Sequence, residues 1–296
     1  MRYHLGVVLP LIAAVAAVPV ELEKRSVSDQ QLAQFELFSQ YAGASYCTGN
    51  NDSPNTKVTC PSGNCPLVEA ADATTTTEFE NTLLTDTTGF VAIDNTNKLV
   101  VLSFRGSTSV RSFITDGEFL QGASDLCLGC LAHKGFYLAW QEIKGTVLPA
   151  IKSAAQANPD FTVIVTGHSL GGAIADFAAA ELRKAGQAAT LYTFGAPRVG
   201  NDILSRFLTN QGNNYRVTHT DDPVPKLPPL ALGFTHLSPE YHIESGDDTV
   251  SASNINEYTG TINLSGNTGT GGFDVNAHLH YFGPISACSP GLQLVK

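Results

Sequence analysis

Residues 167–171 read Gly-His-Ser-Leu-Gly, and the segments on either side of them decide the fold. Before them, residues 161–166 form an apolar and largely β-branched run, which predicts a buried strand. After the serine, residues 170–182 are rich in small apolar side chains and predict a helix that packs close to its neighbours. The sequence therefore places Ser169 at a sharp turn between a strand and a helix.

A serine at such a turn holds its hydroxyl clear of the sheet. The backbone N–H of the next residue and the N-terminus of the helix then face any oxyanion that forms. This makes Ser169 the leading candidate for a nucleophile and the chain a candidate serine hydrolase. The five-residue pattern alone is weak evidence, because glycine and serine are common here, and a structural glycine-rich turn is the alternative.

The rest of the chain alternates strands with helices. An amphipathic helix is predicted over residues 28–47, beginning at a capping box of Ser28 and Gln31, and a hairpin is predicted over residues 89–104. Further predicted elements are a helix over 136–151 and strands over 187–194 and 214–219. This alternation predicts an α/β fold, with a mostly parallel central sheet and helices on both faces, in a single domain.

Composition restricts the partners. The 296 residues carry a formal net charge of −10, with 43% hydrophobic and 15% charged residues. An acidic chain without a lysine- or arginine-rich cluster argues against a nucleic-acid partner and against electrostatic docking on anionic membranes. Apolar docking on a neutral lipid surface stays open.

The N-terminus reads as targeting sequence. Arg2 precedes an apolar stretch over 6–18, within which residues 14–17 offer small side chains for cleavage, and this predicts a signal peptide over 1–17. A membrane anchor is the alternative, but the stretch is short for a bilayer and no polar stop-transfer flank follows it. The Lys-Arg pair at 24–25 resembles a fungal dibasic processing site. We therefore expect a propeptide over 18–25 and a mature chain over 26–296.

Six cysteines in a secreted chain suggest three disulfides, for which fifteen connectivities exist. Spacing suggests the pairs Cys60–Cys65, Cys127–Cys130 and, by remainder, Cys47–Cys288. The C-x-x-C could instead be redox-active or half of a zinc site, but no second such pair and no nearby histidine pair completes a metal site, so no metal is expected. Asn51 and Asn263 begin glycosylation sequons, and Pro54 makes the first the poorer acceptor.

A serine nucleophile needs a base, and the base needs an orienting carboxylate. In α/β-hydrolases these residues follow in the order Ser, Asp or Glu, His, each at the carboxyl end of a strand. Asp221 and Asp222 directly follow the strand predicted over 214–219, and His278 and His280 stand late in the chain. The residues alone leave two acids and two bases unresolved. We expect His219 and His236 to be structural or surface residues.

Several short motifs match those of a known family, in the same order along the chain. They include Leu-Ser-Phe-Arg-Gly-Ser at 102–107, Gly-Ala-Pro-Arg-Val-Gly at 195–200 and Thr-His-Thr-Asp-Asp-Pro-Val-Pro at 218–225. The others are Tyr46-Cys47 and the segments 94–98, 166–172, 238–241, 278 and 281–283. With these motifs the chain resembles the secreted fungal lipases of the class 3 family, of the Rhizomucor and Thermomyces type, over about residues 28–290.

The resemblance implies an α/β-hydrolase fold and assigns the site. It makes Ser169 the nucleophile, Asp222 the orienting acid and His278 the base, with the N–H groups of Ser107 and Leu170 and the Ser107 hydroxyl as the oxyanion hole. It also implies the pairs Cys47–Cys288, Cys60–Cys65 and Cys127–Cys130, and no cofactor. The implied reaction is ester hydrolysis through an acyl-enzyme.

The segment near 109–116 occupies the position of the family's lid. Its candidate lid residues are Val110, Arg111, Phe113 and Ile114. The three apolar ones share a helix face, and a mobile lid could hide this face until it meets lipid. An ordinary surface helix with a permanently buried face is the alternative.

The substrate expected from the resemblance is an acylglycerol at an oil–water interface, acted on by a monomer with interfacial activation. Feruloyl esterases of the same family carry a more polar lid segment and Thr in place of Ser107, so the alternative is a feruloyl esterase or another carboxylesterase, acting on mono- or diacylglycerols or galactolipids. A lipid-binding protein without catalysis is disfavoured, because all three triad residues are present.

One position departs from the family pattern. Asp221 stands where relatives commonly have Asn, and a second carboxylate near His278 would favour the imidazolium and shift activity toward higher pH. His280 also replaces residues that are usually uncharged, and the sequence suggests no role for it.

Overall fold

One twisted sheet organises the described part of the chain. The computed structural model describes residues 25–109, 114, 119–246 and 249–289. Its strands are β1 (Arg25–Ser26), β2 (Ala73–Phe79), β3 (Gly89–Asp94), β4 (Leu99–Phe104), β5 (Gln121–Ala123), β6 (Leu131–His133), β7 (Thr162–His168), β8 (Thr190–Phe194), β9 (Asn214–His219), β10 (Glu240–Ile243) and β11 (Ile255–Tyr258). Its α-helices are α1 (Asp29–Ala44), α2 (Pro66–Ala70), α3 (Lys134–Ala157), α4 (Leu170–Lys184), α5 (Asp202–Asn210) and α6 (Val275–Leu279).

The described strands form a nine-stranded sheet in the order β1-β11-β10-β9-β8-β7-β4-β3-β2, and β5 pairs with β6 separately. The five central strands, β4 and β7 to β10, run parallel. The outer strands are antiparallel. The prediction of a mostly parallel sheet is confirmed.

Pairing aligns the carboxyl ends of the central strands. Gly167 on β7 lies opposite Phe104 on β4 and Thr193 on β8, so these strands end at one edge. The strand predicted over 161–166 extends to His168, because residues 167 and 168 still pair with β8. Ligand sites of open parallel sheets lie at this edge, and the loops after β4, β7, β8 and β9 meet there.

Helices cover both faces of the sheet, as predicted. On one face, α1 buries Phe35, Phe38 and Tyr41, and its N-cap Ser28 accepts from the Gln31 N–H at 3.2 Å. On the other face, α3 and α4 bury a core that includes Trp140 and Phe177. This arrangement is the α/β-hydrolase fold in a single domain. Within the described ranges, no helix is both long and apolar enough to cross a membrane.

The six cysteines pair as Cys47–Cys288, Cys60–Cys65 and Cys127–Cys130. The structure disfavours a glycan at Asn51 in the folded chain. Asn51 is 3% exposed, and its amide nitrogen donates to the carbonyl oxygens of residues 45 and 47. A sequon pattern carries no information about burial, whereas Asn263 lies on a half-buried surface turn.

Of the two predicted processing points, only the second lies at the start of the described chain. Residues 1–24, which contain the predicted signal peptide and most of the propeptide, lie outside the described residues. The predicted cleavage after Arg25 falls within β1, where Arg25 pairs with Glu257 and Ser26 with Asn256 at the edge of the sheet.

Candidate active site

Ser169 lies on a strained turn between β7 and α4. Its backbone has φ 57° and ψ −128°, a conformation that costs a non-glycine residue free energy and is concentrated at functional sites. The turn is held by hydrogen bonds, since Ser169 N donates to Phe194 O at 2.9 Å and Gly172 N donates to Ser169 O at 3.0 Å. The structure thus produces the sharp strand-to-helix turn that the sequence predicted.

The glycine two residues after Ser169 allows this turn to pack. A Cβ on Gly171 would lie 2.3 Å from the carbonyl oxygen of Phe104 and 2.8 Å from the carbonyl of Arg105. The first turn of α4 therefore presses directly on the end of β4. This contact brings the segment after β4, which contains Ser107, against the serine turn.

An aspartate–histidine pair lies at the same edge. His278 Nδ1 is 3.0 Å and 2.9 Å from the two carboxylate oxygens of Asp222, and both side chains are fully buried. Asp222 Oδ1 also accepts from Val224 N at 2.8 Å, and Oδ2 accepts from the Tyr281 hydroxyl at 2.5 Å. Of the two acids and two bases left open by the residues, the structure brings together Asp222 and His278.

Tyr281 was not singled out from the sequence as a functional residue. Burial and the neighbouring Asp222 raise the pKa of its hydroxyl well above the usual range, so it stays a donor to the carboxylate. Its presence in the matched segment 281–283 was the available signal. His280 lies just beyond α6, where it forms a β-bridge with Pro284.

The other ring nitrogen of His278, Nε2, has no hydrogen-bond partner among the described residues. This nitrogen is therefore available to the Ser169 hydroxyl. Such bonds are often long in unliganded enzymes and tighten when substrate is bound.

Gly195, at the end of β8, makes room for the pair. Its φ is +58°, and a Cβ there would lie 2.9 Å from Asp222 Oδ2 and 3.0 Å from His278 Nδ1. Any side chain at this position would meet both strain and the acid–base pair. The glycine of the matched segment 195–200 thus has a steric reason.

The buried side chain of His168, the residue before Ser169, links His278 to Tyr46. His168 Nε2 is 2.8 Å from the backbone oxygen of His278, and Nδ1 is 2.7 Å from the Tyr46 hydroxyl. Complete burial lowers the pKa of His168 well below its usual range, so the ring is neutral. Because a carbonyl only accepts, the proton is on Nε2, and Tyr46 donates to Nδ1. His219 also approaches the base helix, with Nδ1 3.0 Å from Ala277 O.

The expected oxyanion donors share one cavity. Ser107 and Leu170 both line a space of about 340 Å³, together with Gly106 and Ile174. A Cβ on Gly106 would lie 3.0 Å from Ser169 Cβ, so this backbone lies directly against the serine. Among the described residues, no group of three or more His, Cys, Asp or Glu side chains could hold a metal ion.

Three of the four expected lid residues, Val110, Arg111 and Phe113, lie outside the described residues. Ile114 is half-buried and packs against a cluster of Tyr46 and Val224, which also contacts the α6 residue Leu279. This position is next to residues 220–226, which follow β9, include Asp222 and are called the acid loop below.

Asp221 does not have the surroundings that its sequence position suggested. Its Oδ1 accepts from Gly272 N at 3.0 Å and lies 3.9 Å from Lys226 Nζ. The Thr270 side chain, the Gly272 N–H and Lys226 lower the pKa of Asp221. The carboxylate therefore interacts with the loop before α6 and a lysine, and the expected shift of activity toward higher pH loses its support.

A parallel α/β sheet that presents a strained serine beside a buried aspartate–histidine pair defines a serine ester hydrolase. The family model described as lipase (class 3) matches residues 101–232, and that described as lipase 3 N-terminal region matches residues 6–77. The secreted mono- and diacylglycerol lipase A of Penicillium cyclopium is 44% identical over 304 residues, with 100% of each chain covered. The chain therefore belongs to the class 3 lipase family, and the protein is secreted.

Solved structures agree with this assignment. The crystal structure of a mono- and diacylglycerol lipase from Aspergillus oryzae is 46% identical, with a TM-score of 0.84, and covers 87% of this chain and 98% of its own. A triacylglycerol lipase whose catalytic centre is described as a serine protease triad is 30% identical, with a TM-score of 0.78, and covers 89% and 99%.

Proposed function

We propose that Ser169, Asp222 and His278 are the catalytic triad of an enzyme that hydrolyses the carboxylic ester bonds of acylglycerols. The observation that carries the proposal is the buried Asp222–His278 pair at the same sheet edge as the strained Ser169 turn. The similarity to lipases named for mono- and diacylglycerols makes these partial glycerides the first substrates to test.

The proposed reaction has two acyl-transfer steps. His278 Nε2 accepts the Ser169 proton, and Ser169 Oγ attacks the ester carbonyl carbon. The N–H groups of Ser107 and Leu170 and the Ser107 hydroxyl bind the tetrahedral oxyanion. His278 then protonates the departing alcohol, and water, deprotonated by His278, hydrolyses the acyl-enzyme. Asp222 keeps the His278 proton on Nδ1 throughout.

The segment near 109–116 acts as a lid in this proposal. Support comes from the apolar residues Val110, Phe113 and Ile114, and from the packing of Ile114 on Val224, two residues after the proposed acid. A lid that opens onto an apolar surface produces interfacial activation. The enzyme works as a monomer, with its mature chain beginning at Ser26 and a glycan at Asn263.

Ser107→Ala is expected to lower kcat by about a hundredfold, because losing one oxyanion donor typically costs about 3 kcal/mol of barrier. The backbone N–H remains, so the chain should fold and bind substrate normally. Thr108→Ala is the matched control, since Thr108 lines the same cavity and is exposed. Steady-state rates on p-nitrophenyl butyrate measure the effect, and a Ser107→Ala enzyme with near-normal kcat would refute the oxyanion assignment.

A substrate panel tests the proposed function. The secreted wild-type protein, whose mass and N-terminal sequence report its processing, is assayed on a monoacylglycerol, a diacylglycerol, triolein, a galactolipid and methyl ferulate. Ester concentration is raised through the solubility limit in each case. We expect partial glycerides to be hydrolysed best, with a rise in rate where emulsion forms. Ser169→Ala should be inactive on all of them, whereas Ser153→Ala, an exposed serine on α3, should match wild type.

Two results would contradict the proposal. Retained hydrolysis by Ser169→Ala would remove the nucleophile assignment. Preferred turnover of methyl ferulate, with no rise in rate at the solubility limit, would replace the lipid ester with a soluble aromatic ester.

A further inference from the structure

The loop that leads to the proposed base is rich in glycine. We define the base strap as residues 266–274, which connect the surface turn after β11 to α6. Four of its nine residues are glycine, at 266, 269, 271 and 272. Glycine favours no single backbone conformation, so the strap itself does little to specify where it lies. Its position, and with it the start of the helix that carries His278, must be set by contacts from outside.

Several of those contacts come from the acid loop. At the first half of the strap, Asn267 Nδ2 donates to the backbone oxygens of Thr220 and Asp222 at 3.0 Å and 2.9 Å. These bonds join the strap to the backbone on both sides of Asp221. Outside side chains also hold this half, since Asn267 N donates to Glu240 Oε1 at 3.0 Å and Arg198 Nη2 donates to Thr268 Oγ1 at 2.9 Å.

The second half of the strap is held by two side chains of the acid loop. Asp221 Oδ1 accepts from Gly272 N at 3.0 Å, and the Asp221 backbone oxygen accepts from Asp274 N at 3.0 Å. Lys226 Nζ donates to the backbone oxygens of Thr270 and Gly272 at 3.1 Å and 2.7 Å. Two charged side chains therefore bind successive peptide groups immediately before α6.

The Asp221 side chain packs directly against the backbone of the strap. A Cβ on Gly272 would lie 2.3 Å from both Cγ and Oδ2 of Asp221. The Asp221 side chain is 42% exposed, whereas the Lys226 side chain is 20% exposed and packs more deeply. Asp274, the next anchored residue, accepts from Asn276 N at 2.8 Å and so caps the helix. The path from these contacts to His278 is a single turn of helix.

We propose that Asp221 and Lys226 are positioning residues that clamp the base strap and thereby hold His278 in register with Ser169. This inference rests on the proposed catalytic role of His278. The Asp221 carboxylate acts as an acceptor for the Gly272 N–H, and Lys226 acts as a double donor. Asp221→Asn retains an oxygen for Gly272, whereas Asp221→Ala retains none.

Four variants test the clamp: Asp221→Ala, Asp221→Asn, Lys226→Met and the Asp221→Ala/Lys226→Met double variant. The substrate is p-nitrophenyl butyrate below its solubility limit, so that no lipid surface is involved. Active-site titration with a p-nitrophenyl alkylphosphonate counts the competent molecules, and kcat is expressed per competent molecule. Asp160→Ala is the matched control, because it removes an exposed aspartate–lysine contact of 2.9 Å with Lys98, outside the clamp.

We expect kcat to fall on the order of tenfold for Asp221→Ala and for Lys226→Met, since small displacements of a catalytic group are costly, with KM unchanged. Asp221→Asn should recover to within about twofold of wild type, since the oxygen acceptor is kept. The double variant should lose less than the product of the single losses, because both side chains hold the same strap. Asp160→Ala should match wild type.

Three outcomes would overturn the clamp. One is a wild-type kcat for Asp221→Ala. Another is an equal loss for Asp221→Asn and Asp221→Ala, which would assign the effect to charge. The third is a loss that disappears when rates are expressed per titratable molecule, which would leave only a structural role. Ser169→Ala separates the two proposals: if it is inactive while the clamp variants are normal, the clamp alone fails.

Discussion

Asp222→Asn is expected to lower kcat by about four orders of magnitude while the chain remains folded. In the structure, both carboxylate oxygens face His278 Nδ1, so this nitrogen must carry the proton. The Asp222 carboxylate accepts from three donors, which are His278 Nδ1, the Tyr281 hydroxyl and Val224 N. An asparagine of the same shape would present an NH2 group, itself a donor, to one of them. The ring would then favour the proton on Nε2, where it cannot accept from Ser169.

The loss should appear almost entirely in kcat, because Asp222 is fully buried and is not reached by the substrate. Steady-state rates on p-nitrophenyl butyrate and circular dichroism of the same sample measure activity and folding together. Asp160→Asn is the matched control, since it makes the same change on an exposed carboxylate that contacts Lys98. A loss of less than about tenfold for Asp222→Asn would mean that His278 does not depend on this acid.

The elements around the serine could be predicted because their signals are local. An apolar β-branched run before Ser169 and a small-residue helix after it specify the turn within about twenty residues. The length of β7 was the least predictable part, since its last two residues are strand because the neighbouring strands β4 and β8 pair with them. Pairing with a distant segment carries no signature in the paired residues themselves.

The residues alone left the acid and the base unresolved. For the acid, the two candidates are neighbours in sequence and chemically identical, and they differ only in their surroundings. Asp222 faces inward, where Tyr281 and Val224 N–H bind it, and Asp221 is partly exposed and binds the base strap. The family resemblance selected Asp222, which the structure pairs with His278, whereas the surroundings of Asp221 were not foreseen. The contacts of Lys226 with the strap lie 44 and 46 residues away, beyond any sequence pattern.

The base helix is held from several directions. His168 binds the backbone oxygen of His278, His219 approaches that of Ala277, and Tyr281 meets the acid from beyond the helix. The clamp formed by Asp221 and Lys226 holds the segment before it. A five-residue helix has little stability of its own, so its place is determined by these tertiary contacts.

The remaining hold on this region is covalent, and breaking it should have the second-largest effect. Cys288 follows α6 and is bonded to Cys47, 241 residues earlier and next to Tyr46. In the chain-entropy model, closing so long a loop stabilises the folded chain by about 5 kcal/mol, whereas the short Cys127–Cys130 loop gives about 2 kcal/mol. The double variant Cys47→Ala/Cys288→Ala should therefore lose about 5 kcal/mol of unfolding free energy.

Equilibrium unfolding in guanidinium chloride, under non-reducing conditions, measures this loss. The control is Cys127→Ala/Cys130→Ala, which removes a disulfide of the same chemistry with a separation of three residues. Other contacts also hold the tail, because Asn64 Nδ2 and Ser62 Oγ donate to the backbone oxygens of Ile285 and Ala287. Equal losses for the two double variants would show that these contacts, rather than loop closure, determine how firmly the segment after His278 is held. A larger loss for the long loop would make this disulfide the principal stabiliser of the part of the chain that carries the base.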